Sequence, residues 1–585
     1  MDRPPLENVV TPNVGAVTPK SEGAALAVLG LVWIVLAVVV NPLGDFPLND
    51  DWVYALAVRS ILGTGNFALP SPASSNVIAQ AYWGALFCFP FGFSFNALRI
   101  STLVLGGVGI LALFLLLREL GARRGLAAAG ALTMAVNPFY LGLSASFMTD
   151  VPFTALVTLS LWLYVRGVRR EDRVLLAGAF VVAFMAIMIR QFALVLPVAF
   201  GAAHVMRKGV GPRAVAFAAL PIVLAVVLQI IYQRWLFATG RTPMIAVPLE
   251  GLVPETELSL AHRTISVALT FLPYIGLCVA PFVACLNLPQ IYRPASDVWR
   301  YLLSWRVSTL LWLMLVAALV VTRNFLPAFG HIIPTFDNIL IPSGMGALTL
   351  RDIYVLQTNQ PQVPGIVSEL WAVATMFSAW IAVLVILGIL YMLTMLVSNA
   401  RDLELRRAAW AQVLMITVLS VYLGGMFLIN NNGRVYDRYL LPLIPPVLAA
   451  LVLGPGYSHQ APGITGRGVL LVLLLGLYAA FSVSATHDYL AWNRARWQAT
   501  DSLARAGVTP HRIDGGYEFN GWYLYSANYQ RQPSKSYWWV DDDEYVIASG
   551  PLSGYQETER FPVNRWLPLT EANVVVLHRA TGDRQ

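Results

Sequence analysis

The sequence predicts an all-α polytopic membrane protein that ends in a small C-terminal α/β domain. Three observations carry this. Of 585 residues, 57% are hydrophobic and only 12% charged, about half the charged share of a soluble domain. Apolar runs near the roughly 20 residues needed to cross a bilayer core recur along the chain. After residue 486 those runs stop, and the sequence turns polar, aromatic and free of cysteine. The expected division is a cytoplasmic tail over 1–22, a transmembrane domain over 23–486 and an extracytoplasmic soluble domain over 487–585.

The N-terminal stretch Met1 to Lys20 is polar and Pro-rich, and the first apolar run, Ala24 to Val40, lacks a small-residue cleavage site. It reads as a span and not as a signal peptide. Thirteen spans are expected in all, at 23–41, 97–117, 125–142, 151–167, 174–190, 192–206, 214–236, 265–286, 306–322, 368–397, 408–429, 438–454 and 468–486. Segment 76–93 is also apolar but reads as an interfacial helix. If it does not cross, the basic clusters at Arg118 to Arg124, Arg166 to Arg173, Arg207 to Arg213, Arg293 to Arg306 and Arg401 to Arg407 share one side. Positive residues stay cytoplasmic. The net charge of +7 is thus accounted for by orientation signals, and no nucleic-acid partner is expected. Cys88, Cys278 and Cys285 all lie in apolar runs, so no disulfide framework or zinc site is encoded. The tail is expected to form a helix over Trp492 to Ala506, then strands near Arg512–Gly515, Tyr545–Ala548 and Asn573–His578.

This topology gathers the unusual polar residues on the outer face. Asn49-Asp50-Asp51 follows the first span, just before the helical pattern Val53, Leu56, Ala57, Ile61. Carboxylates at a membrane surface serve as general base or ligand; Asn49 and the acids also suit a helix cap. Asp150, with Pro152 two residues on, opens a later span and allows the same two readings. Arg190-Gln191 interrupts two apolar helices. Asn430 to Tyr439 puts Arg434, Asp437, Arg438 and Tyr439 at the outer start of another, where arginine forks suit a phosphate or a carboxylate anchors the helix. His262 and His331 have no partner at metal-ligand spacing. Asp541 to Glu544 lacks calcium-loop spacing and reads as a solvated loop. Trp522-Tyr523 and Trp538-Trp539 read as core of the tail domain.

In order and spacing these motifs resemble the GT-C membrane glycosyltransferases, in the bacterial protein O-mannosyltransferase and aminoarabinose-transferase branch. Asp50, Asp51 and Tyr54 match the first outer loop of that branch. Tyr82-Trp83, Phe91-Gly92 and Asn96 to Arg99 match its interfacial helix and second span, Asp150 its second acidic position, and Arg438 to Pro442 with Pro445-Pro446 its late helix start. The likeness covers 20–170 well and 430–455 moderately. The lipid A transferases carry a Lys-Pro-Pro-Leu stretch where this chain has Val77-Ile78-Ala79-Gln80, which speaks against a lipid A aminoarabinose role.

The resemblance implies a GT-C-like fold and transfer of a hexosyl or pentosyl group from a polyprenyl-phosphate donor to a protein, lipid or glycan acceptor. The site would lie on the outer face of the bacterial cytoplasmic membrane, among membrane lipids, with inversion at the sugar. Asp50 would be the base, Asp51 would orient or assist it, and Asp150 would be a second acidic element. Arg190, Arg434 or Arg438 would hold the departing phosphate, and Tyr54, Tyr82 and Tyr439 would line the site. No nucleotide is implied, and a divalent metal stays open. A polysaccharide polymerase or ligase and a lipid-linked sugar flippase are the alternative functions. The concentration of charge at span ends, without an inverted repeat, favours the enzyme.

Overall fold

A computed structural model describes residues 19–241, 271–284, 286, 305–323, 365–398, 402–429, 436–453, 466–526, 528–530, 539–567 and 571–580. Arg434, Cys285, His262, His331, Trp538 and most of the loops 237–265 and 323–367 fall outside them. The helices are α1 (Pro19–Val40), α2 (Asp51–Thr64), α3 (Ile78–Cys88), α4 (Phe95–Glu119), α5 (Arg124–Ala135), α6 (Pro138–Ser144), α7 (Asp150–Arg170), α8 (Arg173–Ile187), α9 (Val195–Lys208) and α10 (Pro212–Ala238). After α11 (Phe271–Ala284) come α12 (Trp305–Arg323), α13 (Gly365–Ser398), α14 (Leu403–Ala408), α15 (Trp410–Ile429), α16 (Ile444–Val452), α17 (Gly466–Arg505) and α18 (Tyr517–Leu524).

Among the described residues six helices are long and apolar enough to cross a membrane, or seven if the bent pair α5–α6 counts as one. Of the other expected spans, 306–322 and 408–429 are continuous helices of 19 and 20 residues, 174–190 is the shorter α8 of 15 residues, and three are broken. The run 125–142 bends by 60° between α5 and α6, because Pro138 starts a new helix that Asn137 caps through the Phe139 and Tyr140 N–H groups. The run 192–206 opens with a 3-10 turn at Gln191–Leu194, and 438–454 with another at Asp437–Leu443. Helix α3 has 11 residues, too few to cross, in keeping with the interfacial reading of 76–93.

The core of the bundle is α7. It packs on α4 and α8 and is buried on nearly every side, from Asp150 and Val151 to Tyr164 and Val168. Its N-terminus and the starts of α2 and α4 meet at one end of the bundle. The other end holds the basic residues in ion pairs: Arg118–Glu22, Arg166–Glu119 and Arg207–Glu171. At 1.5 Å per residue, the 21 residues of α7 separate these ends by about 30 Å, one bilayer core.

The expected domain boundary at 487 falls inside a helix. Helix α17 runs unbroken for 40 residues, about 60 Å, because no Gly or Pro occurs between Gly476 and Gly507. Its first half is apolar and its second half, with the helix expected at 492–506, carries the tail. The tail adds a four-stranded sheet in the order β1-β2-β4-β3, from β1 (Ile513–Asp514), β2 (Tyr545–Ala548), β3 (Tyr555–Pro562) and β4 (Asn573–Arg579). The pair β1–β2 is parallel, and both pairings of β4 are antiparallel. Strand β3 was not expected: it is a polar edge strand, and its charges protect the exposed edge. Asp542 and Asp543 pair with Arg579, and Glu544 with Arg512, so the acidic run is tied to the sheet and is not a freely solvated loop.

Candidate active site

Four segments distant in sequence bring Asp50, Asp150, Arg190 and Arg438 together. Arg438 Nη2 lies 2.9 Å from Asp50 Oδ2, and its Nε lies 4.0 Å from Asp150 Oδ1. Arg190 Nη2 lies 3.0 Å from Asp150 Oδ1, and its Nε donates to Thr149 Oγ1 at 2.7 Å. The Tyr439 ring sits beside both guanidiniums, with centroid distances of 5.4 Å to Arg190 and 5.8 Å to Arg438. Tyr54 is buried against the same charges. Burial, and then the nearby Asp50, push its phenol well above the ordinary value. Asp50 alone of the four is open, with its side chain 27% exposed against 1% for Asp150 and 5% for Arg438.

Capping does not explain the acidic pair. Asp50 occupies the cap position of α2, yet its side chain makes no capping bond. Its carboxylate instead takes Arg438 on Oδ2 and the Tyr517 hydroxyl on Oδ1 at 2.7 Å. Asn49 does not cap either: it is in the left-handed region, at φ 54°, and its Oδ1 accepts the N–H of Asp50. Asp150 likewise spends its carboxylate on arginine, not on the start of α7.

Asp51 faces the other way. Its side chain is fully buried, accepting the Leu48 N–H at 2.6 Å and the Phe147 N–H at 3.2 Å. Burial raises its carboxyl from the usual 3.8 to about 7, against the opposing pull of Arg99 and these two donors. It ties the first loop to the segment before Asp150 and makes no contact with the open face of Asp50. Gln80 grips that segment from behind, donating to Phe147 O at 2.9 Å and Met148 O at 3.3 Å.

Each remaining segment has its own clamp. Arg99, fully buried in α4, donates to the carbonyls of Pro42, Gly44 and Phe46 and lies over the Phe46 ring at 4.7 Å. It thereby fixes the loop that leads to Asp50. Asn76, Val77 and Ala79 donate to the carbonyls of Ile187, Ile189 and Met188, which sets Arg190 at the end of α8. Val77 holds φ 60° there, a strained conformation for a β-branched residue. Tyr422 donates to the Tyr439 carbonyl at 2.9 Å and fixes the turn bearing Arg438.

The tail closes over the first loop, which the sequence did not disclose. Glu518 Oε1 accepts the Asn49 N–H at 3.0 Å, and its other oxygen takes Arg496 of α17. Trp52 lies among Tyr517, Tyr525 and Trp539 at ring distances of 5.4–6.0 Å. Trp522 stacks on Phe93. These aromatics bind the tail to the membrane part and are not a core of the tail alone. The only trace of it in the sequence is Gly515-Gly516 ahead of Tyr517-Glu518, where Gly516 takes φ 86° and lies against Arg496 of α17. Among the expected site residues Tyr82 stands apart, half exposed on α3, and Arg434 is outside the described residues. The described residues include no group of three or more His, Cys, Asp or Glu able to hold a metal.

Residues 78–233 match the family model for dolichyl-phosphate-mannose-protein mannosyltransferases. The matched segment contains Asp150 and Arg190. Among solved structures, the Saccharomyces cerevisiae protein O-mannosyltransferase complex bound to its sugar donor aligns at 17% identity and TM-score 0.31, over 38% of this chain and 34% of that one. The chain thus spans about a third of that relative. ArnT from Cupriavidus metallidurans in the apo state aligns at 14% identity and TM-score 0.41, over 95% of this chain and 98% of that one. The apo oligosaccharyltransferase of Archaeoglobus fulgidus aligns at 14% identity and TM-score 0.40, over 88% and 62%. No curated protein shows significant sequence similarity. Over 78–233 the chain is thus similar to the mannosyltransferase family, which supports the membrane-glycosyltransferase resemblance read from the motifs; Asp50 and Arg438 lie outside the matched segment.

Proposed function

We propose that this chain transfers a sugar from a polyprenyl-phosphate donor to an acceptor hydroxyl or amine on the extracytoplasmic face of the membrane, with inversion at the anomeric carbon. The observation that carries this reading is the open Asp50 carboxylate paired with buried Arg438, which Asp150 links to a second buried arginine, Arg190. Inverting transfer needs a base for the acceptor and positive charge for the departing phosphate. Asp50 takes the acceptor proton as the acceptor oxygen or nitrogen bonds to the anomeric carbon. The bond from that carbon to the phosphate oxygen breaks, and its electron pair leaves on the phosphate, facing Arg190 and Arg438. Asp150 keeps the two guanidiniums charged and aimed. Asp51, buried on the far side of the loop, holds the backbone that presents Asp50.

The basic residues at the opposite end of the bundle support this orientation, because positive loops stay cytoplasmic. Asp50→Asn tests the reading in membrane vesicles that retain endogenous acceptors and are supplied with radiolabelled polyprenyl-phosphate mannose. Transfer is expected to vanish while expression and membrane insertion persist; normal transfer in that variant sinks Asp50 as the base. Mass spectrometry of lipids co-purified with the wild-type protein is expected to find a polyprenyl-phosphate hexose or pentose.

A further inference from the structure

We infer that Tyr517, supplied by the C-terminal domain, is a positioning residue for the Asp50 carboxylate, so that this domain completes the reaction site of the membrane part. The inference rests on the reading of Asp50 as the acceptor base.

Three nearby positions of the first loop each meet the tail. The Asn49 N–H donates to Glu518, Asp50 Oδ1 accepts the Tyr517 hydroxyl at 2.7 Å, and Trp52 lies so close to Gly521 that a Cβ there would come within 2.4 Å of the indole. The tail segment is itself built to hold this pose. Gly516 sits at φ 86° and donates to Asp514 Oδ1, and Asn520 Nδ2 donates to the same oxygen at 2.7 Å. Glu518 is anchored to Arg496, a buried residue of α17. Tyr517 therefore has a scaffold that does not depend on Asp50.

The chemistry of the contact gives it a role. Arg438 holds one carboxylate oxygen and Tyr517 the other. Two fixed partners set the plane of the carboxyl group, and each oxygen keeps a second lone pair for the acceptor proton. A phenol donates without adding a charge, so it steadies the ionised base and leaves the phosphate field to the arginines. Loss of this hydrogen bond frees the carboxyl group to turn about the Arg438 contact, so the acceptor proton is met less often in the productive orientation.

The test uses the full-length protein in the vesicle assay, with polyprenyl-phosphate mannose as the probe. Tyr517→Phe removes one oxygen and leaves the ring packed against Trp52 and Trp539. It is expected to lower kcat about tenfold and to leave the KM for the donor unchanged. Tyr523→Phe, on the same helix and 49% exposed, is expected to change neither. A wild-type kcat in Tyr517→Phe overturns the inference, whether KM is unchanged or raised; a rise in KM alone would mark a merely structural contact. Asp50→Asn separates the two readings. If that variant stays active, the base assignment fails and this inference with it. If it is inactive while Tyr517→Phe is unperturbed, only this inference fails.

Discussion

Replacing Asp150 by asparagine keeps the side-chain shape and removes one of the two negative charges that face Arg190 and Arg438. Asp150 Oδ1 lies 3.0 Å from Arg190 Nη2 and 4.0 Å from Arg438 Nε. At an effective dielectric near 20, unit charges at such distances attract by roughly 5 and 4 kcal/mol. The sum overstates the loss, because Thr149 and Asp50 still hold the guanidiniums; breaking a buried pair typically costs about 3–5 kcal/mol. The same change leaves the site with one net positive charge, which favours an anionic phosphate. Two effects of opposite sign therefore follow: a less stable protein and a tighter phosphate. Thermal unfolding of the detergent-solubilised chain, with and without a short-chain polyprenyl phosphate, reads both. The variant is expected to unfold at lower temperature and to gain more from the ligand than the wild type; a tenfold tighter Kd adds about 1.4 kcal/mol at saturation. An unchanged midpoint would refute the buried ion pair. A lowered midpoint with no larger ligand gain would refute phosphate binding at these arginines.

Two further predictions follow from the loop and its cover. Asp51 has a folded-state pKa raised from 3.8 to about 7, so the folded protein binds its proton more tightly than the unfolded chain does. This contribution is fully present below about pH 4 and is lost as pH rises to about 7, a swing of at most roughly 4 kcal/mol. Unfolding midpoints at pH 5 and pH 8 should therefore differ less in Asp51→Asn than in the wild type, and an identical difference would count against a protonated buried Asp51. Gly521→Ala forces a Cβ against Trp52, overpacking that costs about 1–3 kcal/mol. Faster hydrogen exchange over 513–524 is expected, with Gly476→Ala, which meets nothing within 4 Å, as the control. Equal exchange in the two variants would contradict the docking of the tail.

The candidate site residues stood out in the sequence because of where they interrupt apolar helices. A charge at the end of a span is costly to bury and conspicuous, and Asp50, Asp150, Arg190 and Arg438 each sit at such an end. Their convergence was not legible: hydropathy assigns a face of the membrane, not a neighbour. The adjacency of Asp50 and Asp51 was misleading in a specific way. Neighbouring residues at a helix start project about 100° apart, so one carboxylate meets the cleft while the other enters the protein. The tail was read as a domain of its own because composition changes at its start. Helix continuity depends instead on the lack of Gly and Pro after Gly476, and that carries α17 across the change. Strand β3 was hidden because Gln556, Glu557, Glu559 and Arg560 give a polar edge strand the composition of a loop.

On the proposed reading, the charges of the site explain why a base and two arginines belong within one ion-pair chain. Before donor binding, Asp50, Asp150, Arg190 and Arg438 sum to zero. A polyprenyl-phosphate sugar brings one negative charge as a phosphodiester, and its departing lipid phosphate gains a second. On the proposed reading Asp50 becomes neutral in that same step, as it takes the acceptor proton. Arg438, which had Asp50 Oδ2 at 2.9 Å, then loses its carboxylate partner as the phosphate becomes more anionic. The attraction released from Asp50 is available to the leaving group when charge develops there, and not in the ground state. This is the differential stabilisation that accelerates a reaction. An arginine paired only with Asp150 would supply a constant field; one shared with the base supplies a field that strengthens along the reaction coordinate.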